Sequence, residues 1–357
     1  MAYTTIDDPS EFFQVKLYSG NNTQTAITYD GNSNLQPDWI WAKSRSNSHY
    51  HDFRDTSRGL TKRLYSNDSG AEDTKSASYV SFDSNGFTLG DDGGGSPANT
   101  VNSGSNNYAS WGWKANGGTT TTNDASATSV GTIDSVIQAN TTAGFSIVTY
   151  TGTGSNGTIA HGLGATPQMY WVRRRSADEH WQVYSEKIGN TKYFQITTDG
   201  EITGSNRWNN TSPTSSVFSV GDHASVNGSS DTYVAYCFTD IKGYSKFGSY
   251  TGNGNADGAF VYTGFKPAWL LVKRFDANGN SWYLFDSARN EVNVVDNILR
   301  PNIANAELTD DTGTNLDFVS NGFKTRTTSA DTNNNGGTYI YMAFAEHPFV
   351  SSKGVPV

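Results

Sequence analysis

The residues of this chain that most resemble a binding site are a tryptophan and its amide neighbours in a polar loop. Trp208 lies between Asn206 and Asn209, and no apolar residue stands near it in the sequence. A tryptophan ring can stack on a sugar ring while asparagine amides bond the sugar hydroxyls. Trp208, Asn206 and Asn209 are therefore the candidate glycan contacts. The alternative is that the ring fills a gap at an interface between structural units.

Two histidines suggest metal chemistry less strongly. His49 and His51 alternate along a strand-like segment, so both imidazoles would share one face. Such a pair can bind a metal or lie on the symmetry axis of an oligomer, and it is also an ordinary surface pair. We predict no metal site from it.

Calcium ligands are present in turns but do not complete a loop of known geometry. The segment 276–280 offers aspartate and asparagine oxygens, yet Ser287 stands where an EF-hand loop needs its bidentate acid. Turn formation by Asn-Gly and Asp-Gly explains these residues without an ion. We predict no cofactor, and calcium in these turns stays an open alternative.

Acidic pairs could support glycoside hydrolysis, which needs two carboxyl groups facing each other across a cleft. Asp55 with Glu72, and Asp286 with Glu291, are the candidates. However, an arginine follows the aspartate in both Asp55-Thr56-Ser57-Arg58 and Asp286-Ser287-Ala288-Arg289, which indicates an ion pair that closes a loop. We find no phosphate-binding loop and no Gly-x-Ser-x-Gly motif, so we predict that the chain is not an enzyme.

The elements that must position these residues come from one pattern written three times. Each copy opens with Tyr-x-Gly, at Tyr18, Tyr150 and Tyr250. A proline-led aromatic strand follows, starting at Pro37, Pro167 and Pro267. Each copy closes on an aromatic-rich strand, at 108–113, 233–238 and 339–344. The chain is therefore one design of about 100 residues, copied and diverged.

Composition indicates which design this is. Charged residues make up only 17% of the chain, aromatic residues 13%, and there are 37 glycines. Asn85-Gly86 and Asn321-Gly322, each between phenylalanine-containing runs, are strong hairpin signals. We predict an all-β protein of three tandem homologous antiparallel β-sandwich domains, jelly-roll or lectin-like.

The repeats also set the predicted boundaries. The first unit spans 1–115, the second 143–242 and the third 243–357. Residues 116–142 are rich in Gly, Thr and Ser, which is typical of a linker. The second and third units would then form a rigid pair, with the first held by a longer tether.

Charge and apolar content exclude several classes of partner. The net charge is −9, which argues against nucleic-acid binding. The basic run Arg173-Arg174-Arg175 is interpreted as a solvated strand end, or else as a contact for phosphate or an acidic glycan. There is no apolar run of membrane-spanning length, so no membrane insertion is expected. The single cysteine, Cys237, is predicted to be a buried, inert thiol.

Four stretches resemble a family of proteins from bacteriophages of marine bacteria. They are Ala2-Tyr3-Thr4-Thr5-Ile6-Asp7-Asp8-Pro9-Ser10, Leu35-Gln36-Pro37-Asp38-Trp39-Ile40-Trp41, Ser81-Phe82-Asp83-Ser84-Asn85-Gly86-Phe87, and 334–346. The resemblance covers essentially the whole chain. It implies a virion structural protein, such as a tail fibre, an appendage or a capsid decoration, and it brings no catalytic residues.

The function expected from this resemblance is a tail-fibre or appendage component that binds host surface glycans or other virion proteins. One alternative is a capsid-decorating or head-fibre protein with no receptor role. Another is a glycosidase that degrades polysaccharide. We expect synthesis in the host cytoplasm, residence in the virion, and a homo-oligomer, with a trimer favoured.

Overall fold

Antiparallel strands build all three repeats in the computed structural model, which describes residues 3–91, 101–197, 203–204 and 206–356. The helical segments within this part of the chain are single turns: a 3₁₀ turn (Pro9–Glu11), α1 (Ala125–Thr128) and α2 (Ala224–Asn227). The predicted all-β class is confirmed.

The strands fall into three consecutive groups. The first group is β1 (Phe13–Ser19), β2 (Thr25–Ile27), β3 (Trp39–Ser44), β4 (Asp52–Asp55), β5 (Lys62–Tyr65), β6 (Asp73–Thr74), β7 (Tyr79–Asp83), β8 (Gly86–Leu89) and β9 (Asn107–Trp113). The second group is β10 (Thr121–Asn123), β11 (Ser135–Asn140), β12 (Phe145–Thr151), β13 (Gly157–Ala160), β14 (Met169–Arg174), β15 (Gln182–Ser185), β16 (Lys192–Gln195), β17 (Thr203–Gly204), β18 (Val217–Val220) and β19 (Thr232–Phe238). The third group is β20 (Ser245–Thr251), β21 (Phe260–Tyr262), β22 (Phe265–Arg274), β23 (Trp282–Asp286), β24 (Leu316–Val319), β25 (Gly322–Thr325) and β26 (Thr338–Pro348).

Each repeat places four equivalent strands side by side in a main sheet. The order is β1-β9-β3-β4 in the first, β12-β19-β14-β15 in the second and β20-β26-β22-β23 in the third. A smaller sheet accompanies each: β2-β8-β7, β13-β18 and β21-β25-β24. The two Asn-Gly hairpins form as predicted, joining β7 to β8 and β24 to β25.

The two faces of each main sheet bury different side chains, because successive residues of a strand point to opposite faces. On β3, Ile40 and Ala42 face the smaller sheet and pack in a cluster with Phe87 and Leu89. Equivalent outer clusters lie in the second and third repeats. Each repeat is therefore two-layered.

The inner faces meet in one core that all three repeats share. Trp39 of the first repeat stacks on Trp113 at 4.2 Å between ring centroids and on Tyr236 of the second repeat at 4.5 Å. Trp113 packs edge-on against Trp269 of the third repeat at 5.6 Å. Each such ring removes roughly 150–250 Å² from water, so this core fixes the repeats to one another.

The segment 116–142 differs from the predicted linker. It contains β10, α1 and β11, and β11 pairs with β12, so the segment extends the second main sheet. Asp124 caps α1 by accepting hydrogen bonds from the backbone N–H groups of Ser126 and Ala127. The buried Gln138 side chain of β11 donates to Thr56 Oγ1 and Ser57 Oγ of the first repeat. The first repeat is thus packed against the second and is not held by a tether; the outer domain boundaries stay a prediction.

The repeats contact one another in a closed ring. Glu72 of the first binds Arg175 of the second, and Phe194 of the second packs against Trp282 of the third. Glu307 of the third then binds Arg45 of the first. Each repeat is therefore in contact with both of the others, in a head-to-tail arrangement that closes.

Candidate functional site

Trp208 is a core residue and not an exposed stacking platform. Its side chain is fully buried and packs edge-on against Tyr170 and Tyr184, with ring centroids 4.9 and 6.1 Å apart. The indole N–H donates to the carbonyl of Lys192 at 2.9 Å. Asn206 is exposed and Asn209 half-buried on either side of it. The premise of the predicted glycan site is therefore wrong, because a buried ring offers no face to a sugar.

The predicted Asp–Arg ion pairs are confirmed, and each lies at an interface between two repeats. Arg58 Nε binds Asp55 Oδ2 at 2.5 Å, and both side chains are fully buried. Arg58 Nη1 also binds Glu72 at 2.9 Å, and the hydroxyl of Tyr236 in the second repeat donates to Asp55 at 2.7 Å. This network joins the first repeat to the second.

The same arrangement joins the third repeat to the first. Arg289 binds Asp286 at 2.6 Å and Glu307 at 2.9 Å, all of them buried. Trp111 takes the role of Tyr236, its indole N–H donating to Asp286 Oδ2 at 3.0 Å. Because the acids are committed to these networks, Asp55 with Glu72 does not form a carboxylate pair across a groove. Asp286 is buried as well, so its predicted partner Glu291 does not face it across a cleft.

The interface between the second and third repeats is apolar instead. In the shared pattern, Ser185 and Ile188 stand where the other repeats have the aspartate and arginine, and Met342 stands where they have Trp111 or Tyr236. Phe275 stands where the other repeats have the arginine that binds an acid of the neighbouring repeat. It packs on Phe194, with 6.4 Å between the ring centroids. The charged residues of the network are thus all replaced by uncharged ones at this interface. This is expected, because a lone buried charge is costly.

His51 belongs to the shared core and not to a metal site. The ladder pairs Ala42 with Asp52 and Val172 with Gln182, so His51 is the counterpart of Trp181 in the second repeat. His51 Nδ1 accepts from the Trp41 indole at 2.9 Å.

The other ring nitrogen of His51, Nε2, lies 3.1 Å from the carbonyl of Arg300. Since Nδ1 accepts, Nε2 must carry the proton and donate to this carbonyl. Burial holds the pKa of His51 well below its usual range. The histidine is therefore a neutral bridge between the first and third repeats.

The basic run is not a solvated strand end. Arg173 is fully buried and donates to the carbonyl of Gly70 at 2.5 Å, while Arg175 binds both oxygens of Glu72 at 2.9 Å. Arg174 binds Asp231 at 2.7 Å. These cations bind groups of the chain itself, which leaves no support for the alternative of a phosphate or acidic-glycan contact here.

A cavity of about 330 Å³ beside β21 combines aromatic rings with charged groups. We call it the Tyr3–Tyr262 pocket; its lining includes Tyr3, Asp240, Lys242, Lys246, Tyr262 and Gly264. Tyr262 is 53% exposed, so its ring is available at the mouth of the pocket. A mostly apolar wall with a few convergent polar groups is the usual composition of a ligand site.

Three distant segments build this pocket. Tyr3 comes from the N-terminal segment, Asp240 and Lys242 from the connection between the second and third repeats, and Tyr262 from the edge strand β21. The Tyr3 hydroxyl donates to the carbonyl of Gly264 at 2.9 Å and lies 2.9 Å from the Tyr262 hydroxyl. The Tyr3 proton is thus already committed, so Tyr262 donates to Tyr3 and keeps its own oxygen free to accept.

Gly264 is required where Tyr3 docks. Its φ of +87° is in the left-handed region, and an added Cβ would lie 2.8 Å from the Tyr3 hydroxyl oxygen. The next residues of the N-terminal segment are anchored too, since Thr4 and Ile6 are buried. The pocket wall formed by Tyr3 is therefore held by the fold.

The pocket has one acidic group and two lysines, and only one of the lysines forms an ion pair with the acid. The Asp240 carboxylate accepts from the backbone N–H of Phe247 at 2.8 Å and forms an ion pair with Lys246. Burial raises the pKa of Asp240, and Lys246 opposes this rise. The Lys242 ammonium lies 4.3 Å from the centre of the Tyr3 ring, and within the described residues it has no acidic partner. One positive charge therefore remains unneutralised at the pocket.

Only the third repeat has this aromatic edge. In the first repeat, Ala26 and Thr28 occupy the positions equivalent to Phe260 and Tyr262, since Ile27 and Val261 both pair with the phenylalanine after the Asn-Gly turn. In the second repeat Thr158 and Ala160 stand there. These departures from the shared pattern were the sequence signal for the site.

A larger groove, of about 500 Å³, runs beside β11 and β12. Half of its lining residues are threonines, and the aromatic residue among them, Tyr150, is only 5% exposed. Arg175 reaches this groove but is bound to Glu72. Asp134, the other charged residue of the lining, accepts from the backbone N–H of Ala125. Without an exposed ring, the groove has less chemistry for recognition than the Tyr3–Tyr262 pocket.

Neither a metal centre nor a spanning helix is found in the part of the chain that the structure describes. Over these residues, no three His, Cys, Asp or Glu side chains lie together as metal ligands would. No helix there is long and apolar enough to cross a membrane.

Comparison with known proteins assigns the chain to a family. A family model described as "Domain of unknown function (DUF7483)" matches residues 8–348, and the chain belongs to this family. No curated protein sequence matches the chain.

Proposed function

We propose that this member of the DUF7483 family is a bacteriophage virion structural protein, a tail-fibre or appendage component that binds a host surface glycan. The observation that carries the binding role is the Tyr3–Tyr262 pocket, an exposed aromatic ring beside an unpaired cation in one of three otherwise related repeats. The virion assignment rests on the resemblance to marine phage proteins. Residence in the particle and assembly with other virion proteins, as a homotrimer, belong to the same proposal.

The build of the chain supports a role outside the cell. A particle component must stay folded after lysis, and here the only cysteine, Cys237, is buried and free. Stability therefore comes from the shared aromatic core, and the buried ion networks hold the repeats in one arrangement. Such a rigid body presents a pocket in a fixed orientation.

Binding without catalysis is the mode of action that we propose. The four acids that form the ion networks, Asp55, Glu72, Asp286 and Glu307, bind arginines. Asp240, the acid of the pocket, binds Lys246. A glycosidase would instead need two carboxyl groups on either side of the bound sugar.

The proposal has two tests. Quantitative mass spectrometry of purified phage particles should find the chain in fixed stoichiometry to the major capsid protein; its absence would refute the virion role. Fluorescently labelled protein should bind host cells, and Tyr262→Ala should abolish this binding. The matched control is Phe260→Ala, which removes an exposed ring of the same strand from outside the pocket. Equal binding by both variants would refute the assignment of the pocket.

A further inference from the structure

We infer that the Tyr3–Tyr262 pocket takes an acidic sugar, one whose ring stacks on Tyr262 and whose anionic group meets Lys242. This inference deepens the proposed function and rests on it.

An exposed tyrosine face beside a free acceptor oxygen favours a sugar as the ligand. Tyr262 is half-exposed on an edge strand, so one face of its ring can cover the apolar face of a pyranose. Because its hydroxyl proton is directed to Tyr3, the Tyr262 oxygen can accept from a sugar hydroxyl. The volume of about 330 Å³ is near the lower end of ligand pockets, roughly 300–1,000 Å³, and suits a short oligosaccharide end.

The positive charge of Lys242, which has no acidic partner among the described residues, favours an acidic sugar. Lys246 is bound to Asp240, whereas the Lys242 ammonium contacts only the face of Tyr3 among the described groups around the pocket. A cation–π contact leaves ammonium hydrogens pointing away from the ring, where a carboxylate or sulfate can accept them. A neutral sugar would leave this charge without a partner.

The site occurs once because the other two repeats lack its exposed aromatic residues. The second repeat lacks both exposed rings, having Thr158 and Ala160 at these positions. The first repeat, with Ala26 and Thr28, lacks them as well. The chain therefore carries a single acidic-sugar site of this kind among its described repeats, and a homotrimer would carry three.

The test compares two ligands that differ only in charge. One is a galacturonate tetramer, and the other is the same tetramer with its carboxyl groups reduced to alcohols. Isothermal titration calorimetry on the full chain should show at least about tenfold tighter binding of the acidic form, the effect of one charge-assisted hydrogen bond. A sulfated tetramer then shows whether carboxylate or sulfate is preferred, and tighter binding of either supports an anionic sugar.

Variants locate the effect. Lys242→Gln should weaken binding of the acidic tetramer about tenfold and leave the reduced tetramer unchanged. Tyr262→Ala should abolish binding of both, while Phe260→Ala should change neither. Tyr262 and Phe260 are about half exposed, and Lys242 is exposed. All three variants should therefore fold, and circular dichroism checks this.

The outcomes separate the two proposals. Equal affinity for acidic and reduced tetramers, lost in Tyr262→Ala, would overturn the acidic-sugar inference and leave glycan binding intact. Binding that survives in Tyr262→Ala would refute the pocket for either ligand. Failure of the acidic, sulfated and reduced tetramers to bind, while host cells are still bound in a Tyr262-dependent way, would overturn the inference alone.

Discussion

Replacing Arg58 with isoleucine, the residue of the second repeat at this position, tests the buried network between the first two repeats. Arg58 is fully buried and binds Asp55, Glu72 and the backbone carbonyl of Phe53. Removing one partner of a buried ion pair typically costs about 3–5 kcal/mol, because the other charge stays buried without compensation. Glu72 keeps Arg175, so the cost falls mainly on Asp55.

A second substitution should restore much of the lost free energy of unfolding. In Asp55→Ser/Arg58→Ile, the uncompensated carboxylate is gone and the pair matches Ser185 and Ile188. Adding Tyr236→Met, after Met342, also removes the hydroxyl that Asp55 accepted from. We expect the triple variant to lie within about 2 kcal/mol of the natural chain, since apolar replacement of a buried ion pair is often neutral.

The assay is chemical denaturation followed by tryptophan fluorescence, with the midpoint and slope recorded for each variant. Asp30→Ala is the control, because it removes the largely exposed partner of Lys16 and should cost at most about 1 kcal/mol. A cost for Arg58→Ile no larger than that of this control would contradict a penalty for the unpaired Asp55 carboxylate. So would a double variant that is as unstable as Arg58→Ile alone.

Three further predictions concern other buried groups. Trp208→Ala should cost about 3–5 kcal/mol in denaturation experiments yet leave the affinity of the folded protein for the acidic tetramer unchanged; selective loss of affinity would contradict its place in the core. Below about pH 6.5, His51 is protonated in the unfolded chain, whereas burial opposes its protonation in the folded protein. The denaturation midpoint should therefore fall as the pH falls, and less steeply in His51→Gln. An equal pH dependence of the midpoint in both proteins would contradict this prediction. Burial raises the pKa of the Cys237 thiol, so iodoacetamide should label it only in denaturant, and rapid labelling of the native chain would refute its burial.

Residue patterns predicted the strands well because the signals are local. Period-two alternation and Asn-Gly turns depend on neighbours in sequence, and β7 and β8 form where Asn85-Gly86 predicted them. The Asp55–Arg58 pair was equally predictable, since the two residues lie in one turn.

The residue patterns could not show what each face of a main sheet packs against. Alternation shows that Trp39 and Trp41 share a face, but a sheet face is apolar whether it packs on its own smaller sheet or on another repeat. The structure packs it on the other repeats. Trp208 was misjudged for a related reason: its polar neighbours are local, whereas Tyr170 and Tyr184, which bury it, come from other strands.

The pocket escaped prediction because its parts are far apart in the chain. Tyr3 and Tyr262 are separated by 259 residues, so no spacing rule links them. The detectable part was the departure of Phe260 and Tyr262 from Ala26 and Thr28 in the first repeat. In the sequence, such a site is therefore marked by a difference between repeats and not by a motif.

The most direct test of the receptor-binding role is a cryo-EM map of intact phage particles with this chain fitted into it. We expect density for the chain in the tail or another appendage, with Tyr262 and Lys242 facing outward into solvent. Density across the capsid lattice, or a Tyr3–Tyr262 pocket covered by a neighbouring virion protein, would contradict the receptor-binding role.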